Sequence, residues 1–244
     1  MKNVSVFMAG IIAVSLCVMA DPALAGPGGK IASTIYESFW GKVLLVVLFI
    51  AFLPLIILNT IKKKLAEKRA RKDLAYMTRY SDVFDWLSLQ QRFKDSFLRV
   101  HKGWANEDLS DASKWMTDWY LQNQQQVYLE NWKSQGVKNI CDVKKLKTIT
   151  PILFQHKNHS DNHEGSKLVV SMTANMNDYL EHLKTGEVVE GSKKYKDVET
   201  IWMFTLEDGI WKVSAIEEVA TLMSFVKAVK DMPPIESTVP TPMP

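Results

Sequence analysis

The sequence contains few of the residues, and none of the motifs, on which common enzyme and cofactor chemistry depends. Only two of its 244 residues are cysteine, Cys17 and Cys141. No intrachain disulfide is therefore expected to hold a folded domain, which suits a reducing compartment. The motifs GxGxxG, GxxxxGKS/T, HExxH and paired CxxC are absent, which removes the usual signals for nucleotide, phosphate and zinc binding. The sequence predicts no cofactor and favours binding over catalysis.

Candidate catalytic and metal-binding side chains are correspondingly few, and no catalytic residue is predicted. Asp178 is the one carboxylate that would suit acid or base chemistry in a concave sheet, although a polar contact at a strand end explains it more simply. One cluster offers metal ligands: His156, His159 and His163, with Asp161 and Glu164 between or beside them. Its polar surroundings favour a solvated hairpin tip, with a weak metal site as the alternative.

Charge is missing altogether from residues 43–61, a run of apolar and small uncharged side chains. At about 1.5 Å per residue, a helix of this length approaches the roughly 30 Å of a bilayer core. Pro54 lies inside the run, where a membrane-spanning helix tolerates proline better than a soluble helix does. Trp40 and Lys42 precede it, as interfacial residues do. The run predicts a transmembrane helix.

Seven basic residues follow this run directly: Lys62, Lys63, Lys64, Lys68, Arg69, Arg71 and Lys72. Because basic residues mark the cytoplasmic side of a span, they place the following domain in the cytoplasm. They are also expected to bind anionic lipid, either from a solvated extension of the helix or from a segment lying on the bilayer. The whole chain has a net charge of only +3, so the domain itself is mildly acidic, which argues against nucleic-acid binding.

Residues 1–25 are typical of a secretory signal peptide. They contain Lys2, an apolar run and the small-residue site Ala23-Leu24-Ala25, without the arginines of a mitochondrial transit peptide. Cleavage after Ala25 leaves a short periplasmic segment, residues 26–42, and a single span; without cleavage there would be two spans. Both alternatives leave the C-terminal domain in the cytoplasm, and a bacterial inner membrane is the predicted setting.

Beyond the membrane, the periodicity of apolar residues predicts helices first and strands second. We expect a basic juxtamembrane helix or linker over 62–80, a folded domain over 81–230 and a disordered, proline-rich tail over 231–244. Helices are predicted over 86–104 and 109–127, with Asp108 or Ser110 as the cap of the second and Gly136 as the end of this region. Half-buried strands are predicted over 148–154, 168–176, 198–206 and 211–215, and an amphipathic helix over 216–230. Pro151 marks an edge or bulge, while Thr185-Gly186 and Asp208-Gly209 mark turns.

This order of elements predicts an α+β fold, in which N-terminal helices pack on a curved antiparallel sheet, preceded by one transmembrane helix. Several segments stand in a distinctive order: Phe93 to Trp104, Met116 to Tyr120, the strand ending at Asp178, Thr185 to Gly191, Trp202-x-Phe204 and Trp211-x-Val213. Together they resemble, over about residues 85–218, the C-terminal domain of subunit 44 of the mitochondrial inner-membrane translocase. The resemblance implies a cone-like fold similar to nuclear transport factor 2 and a role at a membrane surface. The segment that recruits the import motor in the mitochondrial protein is replaced here by a signal and a span, so that role is not carried over.

Three functions are compatible with these features. The first is an inner-membrane adaptor that binds a protein partner at the cytoplasmic surface, in protein translocation or membrane-protein biogenesis, without a small-molecule substrate. The alternatives are a pocket protein or enzyme that takes a small molecule or lipid, and a structural subunit of a secretion complex. The residues expected to line a concave pocket for the partner are Trp115, Trp119, Met172, Met176, Trp202, Phe204 and Trp211.

Overall fold

A computed structural model of the chain describes residues 38–157 and 162–239. The predicted signal peptide and almost all of the predicted periplasmic segment lie outside the described residues, as do His159 and Asp161. The chain divides into two compact units, with the boundary between Asn59 and Thr60.

The first described element, helix α1, runs from Phe39 to Met77 and contains Pro54. No residue of its most apolar 18-residue window is buried. By length and composition, this helix could cross a membrane, and it contains the whole of the predicted span over residues 43–61. The apolar run therefore forms one uninterrupted helical segment that can anchor the chain in a membrane.

The second unit begins inside α1, about twenty residues before the predicted start of the domain at 81. Ala66, Ala70, Leu74 and Met77 are each 3% exposed or less. They are spaced three or four residues apart and so form a narrow stripe on one face of the helix. In the sequence, lysines and arginines stand between them. The segment over 62–80 is therefore part of the domain and not a linker, because its small and apolar side chains pack against the core.

Helix α2, Trp86–Asn106, matches the first predicted helix of the domain. The Asp85 carboxylate caps it by accepting a hydrogen bond from the Ser88 N–H at 2.8 Å. Leu89, Phe93 and Phe97 lie on its buried face. The apolar stripe read from the sequence is confirmed as the face that contacts the core.

The second predicted helix is divided in two. A 3₁₀ segment covers Ser110–Trp115, and a helical segment follows that consists of α3 (Asp118–Asn123), a π-helical turn (Gln124–Leu129) and α4 (Glu130–Gln135). Thr117 caps α3 in place of the predicted Asp108 or Ser110, because its hydroxyl accepts from the Tyr120 N–H. Gly136, with φ 66°, ends the segment as predicted.

Four antiparallel strands form one sheet in the order β1-β2-β3-β4: Val137–Gln155, Lys167–His182, Val188–Glu207 and Ile210–Glu218. Asp208 and Gly209, with φ 56° and 70°, form the predicted tight turn between β3 and β4. Pro151 lies on the edge strand β1 at a shift in register, also as predicted. Strand β1 begins eleven residues earlier than predicted.

The core lies on both faces of this sheet, which corrects the prediction of half-buried strands. On one face, Met172, Trp202 and Phe204 pack with the apolar stripe of α2. On the other face, Val169 and Ile201 pack with Ala66 of α1 and with helix α5, Leu222–Ala228. Because α1 and α5 cover the second face, the outward positions of the central strands are also buried.

The C-terminal segment is more ordered than the sequence indicated. Strand β4 continues to Glu218, so the closing helix begins later than predicted. Ile235 is 4% exposed, and the Arg69 guanidinium donates hydrogen bonds to the carbonyls of Met232 and Pro233 at 2.7 and 2.9 Å. The tail up to residue 239 is thus part of the folded unit, which corrects the prediction of disorder there; residues 240–244 lie outside the described part.

Candidate functional site

The seven predicted membrane-surface residues fall into two groups. Lys63, Arg69 and Arg71 are half-buried and hold the fold together. Lys63 pairs with Glu199 at 2.5 Å, and Arg71 pairs with Glu67 at 3.1 Å. Burial by itself would raise the pKa of Glu67 and of Glu199. Hydrogen bonds from Lys64 and Arg71 lower the pKa of Glu67, and those from Lys63 and Ser171 lower the pKa of Glu199.

The second group comprises the exposed residues Lys62, Lys64, Lys68 and Lys72. Lys64 and Lys72 make only exposed ion pairs, with Glu67 at 3.2 Å and Glu236 at 3.9 Å. Such pairs contribute about 0–1 kcal/mol and leave the ammonium groups accessible. These four lysines are therefore the members of the predicted set whose charge faces solvent.

Two further lysines extend this basic surface. A cavity of about 220 Å³, here called the basic groove, is lined by Lys62, Leu65, Ala66, Arg69, Val226, Lys227, Val229 and Lys230. The sequence separates its two sides by more than 150 residues, so only the folding of the C-terminal segment onto α1 brings them together. The groove combines an apolar floor with a basic rim.

The seven residues predicted to line a partner pocket do not lie together around an open cavity. Met172, Met176, Trp202, Phe204 and Trp211 are each 3% exposed or less, and belong to the main core. Trp202 lies 5.2 Å from Phe97 between ring centroids, and its indole N–H donates to Thr200. These five side chains support the fold, and contact with a partner through them would require the core to open.

The remaining two predicted pocket residues lie at the surface. Trp115 is partly buried, with the Arg92 and Arg99 guanidinium groups at 3.6 and 4.6 Å from its ring. Arg92 also donates to the Trp211 carbonyl at 3.1 Å, so this cluster fastens the 3₁₀ segment to β4. Trp119, by contrast, is 69% exposed on α3.

A second cavity, of about 300 Å³ and here called the open pocket, lies on another part of the domain. It lies between α2, the α3–α4 segment and the ends of the first three strands. Its lining consists of Trp104, Tyr120, Gln124, Tyr128, Trp132, Asn139, Asp178, Tyr179, Leu180, Glu190, Gly191 and Ile216. None of the predicted partner-pocket residues is among them, whereas Asp178, the one acid–base candidate, is.

The polar lining of the open pocket includes two carboxylates, those of Asp178 and Glu190, and no basic side chain. Asp178 is exposed to solvent, but partial desolvation of its carboxyl group, and then the charge of Glu190, raise its pKa, while Lys196 opposes both effects. Trp104 donates from its indole nitrogen to the Gln124 side-chain oxygen at 3.0 Å, which holds both side chains in place. Asn139 is 5% exposed, and its Oδ1 has no hydrogen-bond partner within the described structure.

The neighbouring thiol is not set up as a nucleophile. Cys141 pairs with Asp178 in the sheet register, and burial raises the pKa of its thiol to about 12. The thiol therefore stays protonated at neutral pH, and a protonated thiol is a poor nucleophile.

The histidine cluster is partly built into the fold. His156 is 7% exposed; its Nδ1 is 2.8 Å from the Thr238 hydroxyl and its Nε2 is 2.9 Å from Nδ1 of His163. Glu164 accepts from the N–H groups of Asp208 and Gly209, which fastens the hairpin turn. Over the described ranges, no three potential ligands are grouped to hold a metal ion. His156 thus connects the hairpin to the C-terminal segment.

The geometry defines an α+β domain with helices packed on an open four-stranded antiparallel sheet, and the described residues also include one helix long and apolar enough to cross a membrane. A family model described as the Tim44-like domain matches residues 70–218. The chain belongs to this family, and the match confirms the resemblance read from the sequence. The matched region begins at residue 70, within the part of α1 that packs into the core. Tim44-like domains are non-catalytic adaptor or scaffold domains that bind protein partners at membranes and are associated with protein translocation.

Among solved structures, the chain is similar to the intermembrane-space region of the chloroplast protein ARC6. The two are 11% identical, with a TM-score of 0.37, over 52% of this chain and 93% of that one. No curated protein matches the sequence.

Proposed function

We propose that this protein is a membrane-anchored adaptor, which binds a protein partner at the cytoplasmic surface of a bacterial inner membrane. The observation that carries the proposal is the pairing of a Tim44-like domain with an apolar helix in one chain. Only a few residues separate the last apolar residues of the predicted span from Ala66, the first buried residue of the domain. So short a connection raises the effective concentration of domain and membrane partner to about millimolar, and a weak contact then suffices.

The basic groove supports a second contact, with anionic lipid. Lys62, Lys64, Lys68 and Lys72 are exposed, and Lys227 and Lys230 add two more ammonium groups beside the groove. Near an anionic membrane, each such residue contributes about 1 kcal/mol of attraction. We infer that this surface orients the domain and that the protein partner binds elsewhere.

The helical segment from α3 to α4 offers that other surface. Trp119 and Val127 are 69% and 52% exposed, although both are large apolar or aromatic residues. Exposed aromatic groups of this kind are frequent anchors in protein interfaces. We infer that the partner contributes an apolar helix or strand, which covers these side chains.

Photo-crosslinking in living cells tests the adaptor function directly. A photoreactive residue replaces Trp119 or Val127 in the full chain, with the exposed Ile210 of the β3–β4 hairpin as the matched control position. We expect one protein to crosslink at the two α3–α4 positions and not at the control. The proposal fails if neither position finds a protein neighbour while the purified chain converts a small molecule.

A further inference from the structure

The open pocket has a chemical character that neither lipid attachment nor an apolar protein contact explains. Five aromatic residues and two carboxylate residues line it, and none of its twelve lining residues is Lys, Arg or His. We propose that the open pocket is a binding site for an alkylammonium cation that carries at least one N–H donor. The cation is either a free amine or the side chain of a lysine.

The aromatic groups form the walls for such a cation. They are Trp104, Tyr120, Tyr128, Trp132 and Tyr179. Tyr128 and Trp132 meet edge to face at 6.0 Å between ring centroids, and Trp104 is fixed by its hydrogen bond to Gln124. Ring faces attract ammonium groups, and more strongly where water is displaced. The same faces pack well against the methylene groups of an alkyl chain.

The carboxylates supply the complementary charge. Asp178 and Glu190 line the pocket, and the charge of Glu190 adds to the effect of desolvation in raising the pKa of Asp178. Among nearby basic groups, Lys193 is engaged by Glu181 at 2.6 Å, and Lys196 acts on Asp178 without lining the pocket. A bound cation would relieve the repulsion between the two carboxylates. An anion, including a lipid phosphate, would increase it.

Asn139 provides an independent indication of a ligand. Its side chain lines the pocket and is 95% buried, yet its Oδ1 accepts no hydrogen bond from any described residue. A buried acceptor without a partner is costly, so a donor is expected from outside the protein chain. An ammonium N–H supplies that donor, whereas a quaternary ammonium has none.

The size of the pocket limits the ligand. About 300 Å³ is at the lower end of the volumes of small-molecule sites. An aminoalkyl group is small enough for this volume, and Asn139 and Glu190 lie on either side of Leu180 in the sheet register. This inference does not depend on the adaptor function, because amine binding and partner crosslinking are measured separately.

The test uses the purified full chain in detergent micelles, followed by calorimetry and by the fluorescence of the pocket tryptophans. Four probes of similar size are titrated: pentylammonium, 1,5-diaminopentane, tetramethylammonium and the neutral 1-pentanol. We expect saturable binding of the two primary amines, at least roughly tenfold weaker binding of tetramethylammonium, and none of 1-pentanol. Nα-acetyl-lysine methylamide is a further probe, which represents a lysine side chain within a peptide. Tighter binding of this probe than of the diamine assigns the site to a lysine side chain, and the reverse order assigns it to a free amine.

Substitutions of the two carboxylates test whether the amine binds in the open pocket. Glu190→Gln and Asp178→Asn should each weaken amine binding by roughly tenfold. Glu130→Gln on α4 is the matched control, because Glu130 is exposed and does not line the pocket. Asp178 and Glu190 are both exposed, so neither substitution removes a core side chain, and each variant checks the result of the other. The proposal is overturned if no amine binds saturably, if 1-pentanol binds as tightly as pentylammonium, or if Glu190→Gln binds amines as the wild type does.

Discussion

Acidification should destabilise the domain through one buried histidine. His101 on α2 is 5% exposed and contacts the rings of Phe97, Trp104 and Trp202, at centroid distances of 4.0, 5.1 and 5.7 Å. Its Nδ1 is 2.8 Å from the Phe97 carbonyl and must donate, because a carbonyl only accepts. The neutral ring fits this site. Burial penalises the charged form and lowers the pKa of His101 to about 4.

The sign and size of the effect follow from proton linkage. In the unfolded chain, His101 takes up a proton below about pH 6.5, whereas in the folded chain it does so only below about pH 4. Between these values the unfolded state binds more protons, so the free energy of unfolding falls as the pH falls. The loss is about 2 kcal/mol between about pH 7.5 and about pH 5, and roughly 3 kcal/mol once both states are protonated.

Urea unfolding at a series of pH values, for the wild type and for His101→Leu, isolates this contribution. Leucine keeps an apolar side chain at the site and cannot titrate, while the lost hydrogen bond to Phe97 costs the same at every pH. Other groups, including His156, whose pKa is lowered by burial and by His163, titrate in both proteins and cancel. The difference in unfolding free energy should change by about 2 kcal/mol over this range. Parallel curves for the two proteins would refute the reasoning.

Four further outcomes are expected. A fragment of residues 60–239 should be soluble, unfold cooperatively and keep its stability in chelator. A fragment of residues 81–230 should be markedly less stable, because it lacks the buried side chains of α1 and Ile235. Equal urea midpoints for the two fragments would contradict this. Trp202→Ala should cost roughly 3 to 5 kcal/mol in urea unfolding, since the ring is fully buried, and a loss below about 1 kcal/mol would show that the site is not packed as described. Replacing Lys62, Lys64, Lys68 and Lys72 by Gln in the 60–239 fragment should weaken its flotation with anionic liposomes. The control replaces the same number of exposed lysines elsewhere, Lys138, Lys144, Lys145 and Lys194, and should weaken flotation less. Equal losses would contradict the assignment of the lipid-binding surface. Protease added to intact spheroplasts should leave the domain uncut, and digestion there would reverse the orientation and favour a subunit of a secretion complex.

Local sequence patterns predicted most of the elements. The charge-free run, the stripe of α2 and the Asp208-Gly209 turn are decided by side chains near one another in the chain, so periodicity and turn chemistry are sufficient to find them. The order of these segments also carried the resemblance that the family match over residues 70–218 confirms.

The packed part of α1 was missed for a physical reason. Ala66 and Ala70 are small, and the lysines and arginines around them are typical of a juxtamembrane segment. Only the presence of the sheet and the C-terminal segment shows that this face is buried. The burial of Ile235 and the order of the tail were missed for the same reason, because they depend on contacts with α1, which is far from the tail in the sequence.

The candidate sites, too, depend partly on local sequence and partly on tertiary packing. The sequence by itself determined which residues are apolar or basic, where the chain can enter a membrane, and that Met172, Trp202 and Phe204 belong on one face of a sheet. Only the tertiary structure decided that this face is closed by α2, and that the concave surface opens instead at Trp104, Asn139 and Glu190. Alternation places a side chain on a face of a strand, but whether that face is covered depends on helices that pack from elsewhere in the chain.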